Sequence, residues 1–141
     1  LAIAAYFDSE DLNQLSDFFF KQADEEREHA MKFFHFILEA GGRVKLPEIP
    51  APQSEFSSAT ECAELSLEWE EEVTEQINRL VEIARADDNY AAENFLDWFV
   101  TEQVEEVNTM SRLISVIERA GDQLLLVEEY LAREGHPEDG G

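Results

Sequence analysis

The sequence has little positive charge, and this shortage excludes whole classes of partner. Ten Lys and Arg residues face 33 Asp and Glu residues, so the formal net charge is −23. Because phosphate groups are bound by basic surfaces, we expect neither nucleic acid nor an anionic membrane as a partner. Cations are the natural counterparts of so acidic a chain.

Cysteine and long apolar runs are equally scarce. Cys62 is the single cysteine, which excludes an internal disulfide and fits a reducing compartment, so we predict a cytoplasmic protein. The longest apolar run, residues 1–7, is too short to cross a bilayer and does not follow the charged segment that opens a signal peptide.

Proline and glycine are rare as well, which leaves room for long helices. Three of the four prolines lie in residues 43–56, where they predict an extended connection. Apolar residues on 3–4 spacing predict a helix that starts near a cap at Ser9 or Asp11 and ends at Ala40, before Gly41. A short apolar stub, residues 1–7, precedes this helix.

Two further long helices and one short helix are predicted after the connection. Ser58 and Glu61 form a capping box that opens one helix, and residues 87–89 end it and cap the next. Gly121 ends that helix, and a short fifth helix follows from about Gln123 to Arg133. We predict one helical domain over residues 1–134 and a flexible tail over residues 135–141.

These elements predict an all-α protein. Each long helix has roughly 30 residues and would be about 45 Å long. The proline-containing connection is long enough to join helices that point the same way, which is the pattern of a ferritin-like four-helix bundle with one long crossover. A short C-terminal fifth helix completes it. The first helix of such a bundle is represented only by the stub, so it is truncated in this sequence.

Several polar residues occupy positions where the helical pattern calls for apolar ones. On the first long helix these are Glu26 and His29, on the second Glu70, and on the third Gln103 and Glu106. A bundle built only for stability would have Leu or Ile at such positions. Each run of core positions turns polar near its middle, so antiparallel packing can bring these side chains to one height.

Two interpretations of this cluster remain open. Mutual repulsion of several carboxylates is relieved by protonation or by cations, and one imidazole among carboxylates suits iron or manganese. The spacing Glu-x-x-His also puts both side chains on one helix face, as in di-iron carboxylate bundles. The alternative is a buried hydrogen-bonded pair of Glu26 and His29, with the other acids at the edge of the bundle.

The chain resembles the bacterial non-haem ferritins over almost its entire length. The stretches that carry the resemblance are LAIAAYF (1–7), ADEEREHA (23–30), QINRL (76–80) and NFLDWFVTEQVEE (94–106). The resemblance implies iron storage and detoxification in a hollow homo-oligomeric shell of twenty-four subunits. It also implies ferroxidase activity, in which dioxygen or peroxide oxidises ferrous iron at a di-iron site inside each subunit.

The resemblance further implies a role for individual residues. Glu26 matches the carboxylate that bridges the two irons, and His29 matches the imidazole ligand of the first iron. Glu70 and Glu106 match ligands of the second iron, and Gln103 matches the glutamine beside the site. The outer acids that bind a third iron together with Glu106 in bacterial members match Glu25, Glu102 and Glu105.

One departure concerns the start of the chain. The first-helix glutamate that ligates the first iron in the family, and a nearby tyrosine, correspond to positions before Leu1. In the sequence as given the first iron therefore lacks its third protein ligand. We expect the missing segment to exist in the full protein, with an impaired ferroxidase as the alternative.

Three other functions remain as alternatives. A haem-binding bacterioferritin is disfavoured because Arg27 stands at its haem methionine and the second Glu-x-x-His motif reads Gln103-x-x-Glu106, so we expect no haem. A catalytically impaired or structural ferritin-like subunit is the second. The third is an acidic helical module that binds a basic partner. Such a module would need its acidic residues on the surface rather than at core positions.

Overall fold

The computed structural model describes residues 1–134, and all of their regular secondary structure is helical. The helices are α1 (Ala2–Ser9), α2 (Asn13–Glu39), α3 (Ala59–Ala86), α4 (Tyr90–Ala120) and α5 (Leu124–Glu134). Their order and bounds agree with the helices predicted from the sequence. Within residues 1–134 no helix is both long and apolar enough to cross a membrane. The predicted flexible tail lies outside the described residues.

The connection between α2 and α3 contains the three prolines at positions 47, 50 and 52 and has no regular secondary structure. Residues 42–56 contain neither helix nor strand. Helix α2 stops where Gly41 adopts a φ of +80°, a left-handed conformation that glycine adopts without strain. The N–H of Gly42 then donates to the carbonyl oxygen of Ile37 at 2.8 Å, which completes the C-cap. Leu46 and Ile49 on this connection are exposed.

The chain forms two compact units. The first, here called the α2 unit, contains residues 1–57 and the segment that starts at Ala120, and so includes α1, α2 and α5. The second, here called the hairpin unit, contains residues 58–119 and so consists of α3 and nearly all of α4.

In the α2 unit, α1 and α5 both pack against α2. The rings of Phe7 on α1 and Phe19 on α2 stack with their centroids 5.6 Å apart. The hydroxyl of Ser16 donates to the carbonyl oxygen of Ala4 at 3.0 Å, so a buried polar group is satisfied between the same two helices. Val127 of α5 is fully buried.

The N-terminus of α2 is capped from a distance rather than by its neighbours in sequence. The predicted caps, Ser9 and Asp11, are wrong: Ser9 bonds back into α1, and Asp11 turns the chain with a φ of 58°. The carboxylate of Glu128 on α5 takes their place. It accepts from the backbone N–H of Gln14 at 2.8 Å and from that of Leu15 at 2.9 Å. A carboxylate at this end of a helix also interacts favourably with the helix dipole.

The substitution Glu128→Ala should lower the free energy of unfolding by about 1–2 kcal/mol, because two N-terminal N–H groups of α2 lose their acceptor. Urea unfolding followed by circular dichroism measures the effect. Glu129→Ala is the matched control, since Glu129 is exposed and pairs at 3.5 Å with Arg133, which is also exposed. It should change stability by less than about 0.5 kcal/mol. Equal effects of the two substitutions would contradict the capping role.

Both helices of the hairpin unit have N-terminal side-chain caps at residues that the sequence predicts. The hydroxyl of Ser58 accepts from the N–H of Glu61 at 3.1 Å, and Oδ1 of Asn89 accepts from the N–H of Ala92 at 3.1 Å. The predicted core positions of α4 are all buried. They are Leu96, Phe99, Gln103, Glu106, Met110, Leu113 and Ile117.

On α3 the 3–4 spacing of the sequence predicts a buried Leu80, and this prediction is wrong. Leu80 is 40% exposed, and Val81 is buried in its place. From Ile77 a 3–4 pattern can continue through either residue, since both lie about one helical turn further on. The structure continues through Val81 to Ala84, both of which are buried.

Cys62 lies in the first turns of α3 and is fully buried. Burial raises the pKa of the thiol to about 12, and the nearby charge of Glu61 adds to this effect. The thiolate is the reactive form, so the folded protein should keep this cysteine inert at neutral pH. Cys62 is thus a small packed residue of the core.

The buried thiol gives stability a defined pH dependence. A raised pKa means that the folded state holds the proton more tightly than the unfolded state, so this contribution is complete below the ordinary thiol pKa of 9.0 and is lost as pH rises towards 12. The stability difference between wild type and Cys62→Ser should therefore shrink between these pH values. Urea unfolding of both proteins across this range measures it.

A kinetic measurement provides the control. In the folded wild type at pH 8 an aromatic disulfide reagent should label Cys62 at least about a hundredfold more slowly than in urea. Labelling at the same rate in both states would show that the thiol is accessible, and a constant stability difference up to pH 12 would show that it titrates normally.

Candidate metal centre

Glu26 and His29 lie one turn apart on α2, as their spacing predicts. Nδ1 of His29 is 3.7 Å from Oε2 of Glu26, which is within reach of an ion pair but longer than a good hydrogen bond. The His29 side chain is 12% exposed and that of Glu26 is 46% exposed. A nitrogen and a carboxylate oxygen are thus presented side by side on one face of the α2 unit.

The exposure of Glu26 corrects the interpretation of this residue as a core position. Within the sequence given, the buried residues of α2 lie in its first turns: Leu15, Ser16 and Phe19. Glu26 lies beyond them, where solvent stabilises its charge directly.

Two further polar residues extend this face of α2 towards its N-terminus. Nε2 of Gln22 donates to Oε2 of Glu25 at 2.9 Å. The Oε1 atom of Gln22 is buried and has no hydrogen-bond partner among the described residues. Because a buried acceptor without a donor is uncommon, this face has spare capacity for a donor or a cation.

A second polar group lies inside the hairpin unit. Glu70 on α3 and Gln103 and Glu106 on α4 are the polar residues of this unit that are almost completely buried, with exposures of 7%, 3% and 5%. Glu102, one turn before Glu106, is half-buried, and Glu105 is exposed. The structure therefore confirms three polar core positions that the sequence indicates and leaves the two outer acids nearer the surface.

Gln103 links the two helices of the hairpin unit. Its Nε2 donates to the carboxylate oxygen Oε2 of Glu70 at 3.2 Å and to the backbone oxygen of the same residue at 3.1 Å. The amide also contacts the hydroxyl oxygen of Thr74 at 3.2 Å. A buried carboxylate thus receives a neutral donor from the facing helix, which reduces the cost of burying it.

Thr74 also belongs to this hydrogen-bond network, although the sequence alone did not single it out. It lies one turn after Glu70 on α3, and the spacing of four residues is the signal that could have drawn attention to it. Its hydroxyl donates to the backbone oxygen of Glu70 at 2.8 Å.

The basic residues of the hairpin unit lie on its surface. They are Arg79, Arg85, Arg112 and Arg119, and all four are exposed. Arg85 pairs with Glu93 across the α3–α4 turn, with Nε and Oε1 2.6 Å apart, and this bond raises the pKa of the guanidinium. The positive charge of the unit is therefore placed to balance surface acids such as Glu93.

Replacing Gln103 by leucine should destabilise the hairpin unit. Gln103→Leu keeps the bulk but removes the amide donors from Glu70, and a buried acceptor left without its donor costs about 1–3 kcal/mol. Urea unfolding of the metal-free protein measures the change. The matched control is Gln76→Leu on the exposed face of α3, where the amide donates to Glu72 at 3.2 Å.

The control substitution should change stability by less than about 0.5 kcal/mol. A Gln103→Leu protein as stable as the wild type would mean that the amide contributes nothing to the burial of Glu70.

Comparison with known proteins assigns a family to this arrangement. A family model described as a ferritin-like domain matches residues 1–120. The chain is 42% identical to ferritin BfrB of Mycobacterium tuberculosis over 134 residues, which are 95% of this chain and 74% of the relative. It is 40% identical over 134 residues to the bacterial non-heme ferritin of Staphylococcus aureus, covering 93% of this chain and 81% of that protein.

Solved structures agree. The chain matches the open pore ferritin of the hyperthermophilic archaeon Archaeoglobus fulgidus with a TM-score of 0.90 and 39% identity, over 94% of this chain and 83% of that one. This likeness confirms the predicted all-α, ferritin-like fold class with its short C-terminal helix.

Proposed function

Because the chain belongs to the ferritin family, we propose that it stores and detoxifies iron by oxidising ferrous ions and depositing ferric mineral in a hollow shell of its own copies. The observation that carries the proposal is the buried set Glu70, Gln103 and Glu106 on facing helices of such a chain. Acids at these core positions lower the free energy of unfolding. We therefore attribute their presence to a function that compensates for the lost stability.

The proposed site is a pair of irons. Glu26 bridges the irons, His29 ligates the first, and Glu70 and Glu106 ligate the second, with Gln103 beside them. That the two groups of ligands serve one iron pair is part of the proposal and is supported by family membership. Glu26 and His29 are paired on α2, and Gln103 is hydrogen-bonded to Glu70 in the hairpin unit.

The donor set suits the reaction. Two ferrous ions lose one electron each, and dioxygen takes up two electrons and two protons to leave as hydrogen peroxide. With peroxide as the oxidant, the same two electrons and two protons give two molecules of water. Carboxylate oxygens are hard anionic ligands that bind the more highly charged ferric ion more strongly, so they favour loss of the electron.

Further acids would serve a third iron and the exit of product. We assign Glu25, Glu102 and Glu105, together with Glu106, to this outer position. Glu25 and Glu105 are exposed and Glu102 is half-buried, so cations reach them more readily than the buried carboxylates.

We propose a non-haem site, consistent with Arg27 at the position of the bacterioferritin methionine. We also propose that the protein is cytoplasmic.

Association into a shell is supported by apolar residues on the surface of the single chain. Several large apolar side chains are more than half exposed. They include Leu46, Ile49, Trp69, Tyr90, Val104 and Leu125. Exposed apolar surface of this extent favours contacts with other copies, and we propose the homo-oligomer of twenty-four subunits that the resemblance implies.

The proposed site predicts a specific loss of activity. Glu70→Gln combined with Glu106→Gln should slow the initial oxidation of ferrous iron in air at least about tenfold, because the second iron loses both anionic ligands. Ferric absorbance in stopped flow measures the rate. The matched control is Glu71→Gln with Glu118→Gln, which removes the same charge from exposed positions on the same two helices and should leave the rate unchanged.

Three results would contradict the proposal. Equal rates for both double variants would remove the site from this position. A stable monomer near the chain mass of 16.1 kDa in light scattering would contradict storage, because one subunit encloses no cavity for mineral. An assembled wild type that oxidises no iron above the buffer rate would identify a structural subunit instead.

A further inference from the structure

The hydroxyl of Thr74 occupies an unusual place in the hairpin unit. A threonine inside a helix commonly returns its hydroxyl proton to the carbonyl oxygen four residues earlier. Thr74 does so with Glu70 at 2.8 Å, and Thr101 on α4 does so with Asp97 at 3.4 Å. Thr74 differs because its oxygen also receives a bond from the facing helix, from Nε2 of Gln103 at 3.2 Å.

The directions of these bonds follow from elementary donor and acceptor chemistry. The backbone oxygen of Glu70 can only accept, so the single proton of the Thr74 hydroxyl is directed to it. The lone pairs of that hydroxyl then remain for Gln103, whose amide nitrogen can only donate. Thr74 is therefore an acceptor for Gln103 because it is a donor to Glu70.

This arrangement fixes the orientation of the Gln103 amide. Its nitrogen faces three acceptors, which are the Thr74 hydroxyl and the backbone and carboxylate oxygens of Glu70. Turning the amide over would bring its own oxygen against all three of them, which is unfavourable. Two amide protons shared among three acceptors hold the nitrogen at one point between the helices.

We propose that Thr74 is a positioning residue for the iron-binding carboxylate of Glu70, and that it acts through the amide of Gln103. The inference rests on the function proposed above. The amide restrains the carboxylate at Oε2, and a carboxylate has further lone pairs with which to bind a cation. Without the Thr74 hydroxyl the amide has one fewer contact, so Gln103 and the carboxylate of Glu70 should sample more orientations.

A set of three variants tests the proposal. Thr74→Val removes the hydroxyl at nearly constant size, Thr74→Ser restores it, and Thr101→Val removes the equivalent exposed hydroxyl on α4. Cobalt(II) binding to the metal-free protein, followed by calorimetry, reports the affinity of the site without any redox step. Steady-state oxidation of ferrous iron gives KM and kcat for the same proteins.

Thr74→Val should weaken cobalt binding by about tenfold and raise KM by about tenfold, which is the lower end of the usual effect for residues that orient a metal ligand. The change in kcat should be smaller. Thr74→Ser should stay within about twofold of the wild type, which excludes a general loss of folding as the cause. Thr101→Val should match the wild type in both measurements.

The outcomes separate this inference from the proposed function. If wild type binds cobalt and oxidises iron, and Thr74→Val behaves like Thr101→Val, the positioning role is overturned while the function stands. If Thr74→Ser is as impaired as Thr74→Val, the hydroxyl is not the cause and the role is again overturned. If the wild type neither binds cobalt nor oxidises iron, the proposed site fails and the role of Thr74 fails with it.

Discussion

The burial of acidic side chains between two facing helices is the constraint on which the hairpin unit depends. Glu70 and Glu106 lie at positions that would otherwise be filled by leucine or isoleucine, and a carboxylate removed from water loses a large hydration energy. The surrounding polar groups offset part of this cost through hydrogen bonds. Gln103 is itself buried and donates to Glu70, and Thr74 in turn accepts from Gln103.

The apolar residues around the acidic layer hold it in place. On α4 the buried Gln103 and Glu106 are flanked by Phe99 on one side and by Met110 and Leu113 on the other. These side chains keep water away, and the low local polarity strengthens each hydrogen bond within the layer. A cation that reaches the carboxylates would meet the same effect, because attraction between opposite charges is also stronger there. The same burial that would favour a bound cation therefore lowers the stability of the metal-free unit.

Features set by neighbouring residues could be predicted from the sequence. The caps at Ser58 and Asn89 and the glycine stop at Gly41 depend on a few consecutive residues, and the structure has each of them. The core face of α4 could also be predicted, because its seven positions follow one unbroken 3–4 pattern. The acids at Glu70 and Glu106 were recognisable as candidate ligands because they interrupt such patterns.

Features that depend on distant parts of the chain could not be predicted. The choice of Val81 over Leu80 depends on how α3 is rotated, which local spacing leaves open. The exposure of Glu26 depends on which distant parts of the chain cover α2. The role of Thr74 requires knowing that Gln103 faces it, since a threonine in a helix otherwise has an ordinary local partner.

The cap that Glu128 provides has a consequence for the order of events during synthesis. The residues that it joins are separated by more than a hundred positions, so the first turn of α2 leaves the ribosome long before its acceptor has been translated. Chains emerge and begin to fold from the N-terminus, and contacts this distant in sequence close late. In the nascent chain the start of α2 should therefore lack this acceptor until α5 has been translated. The cap can form only after synthesis has passed Glu128.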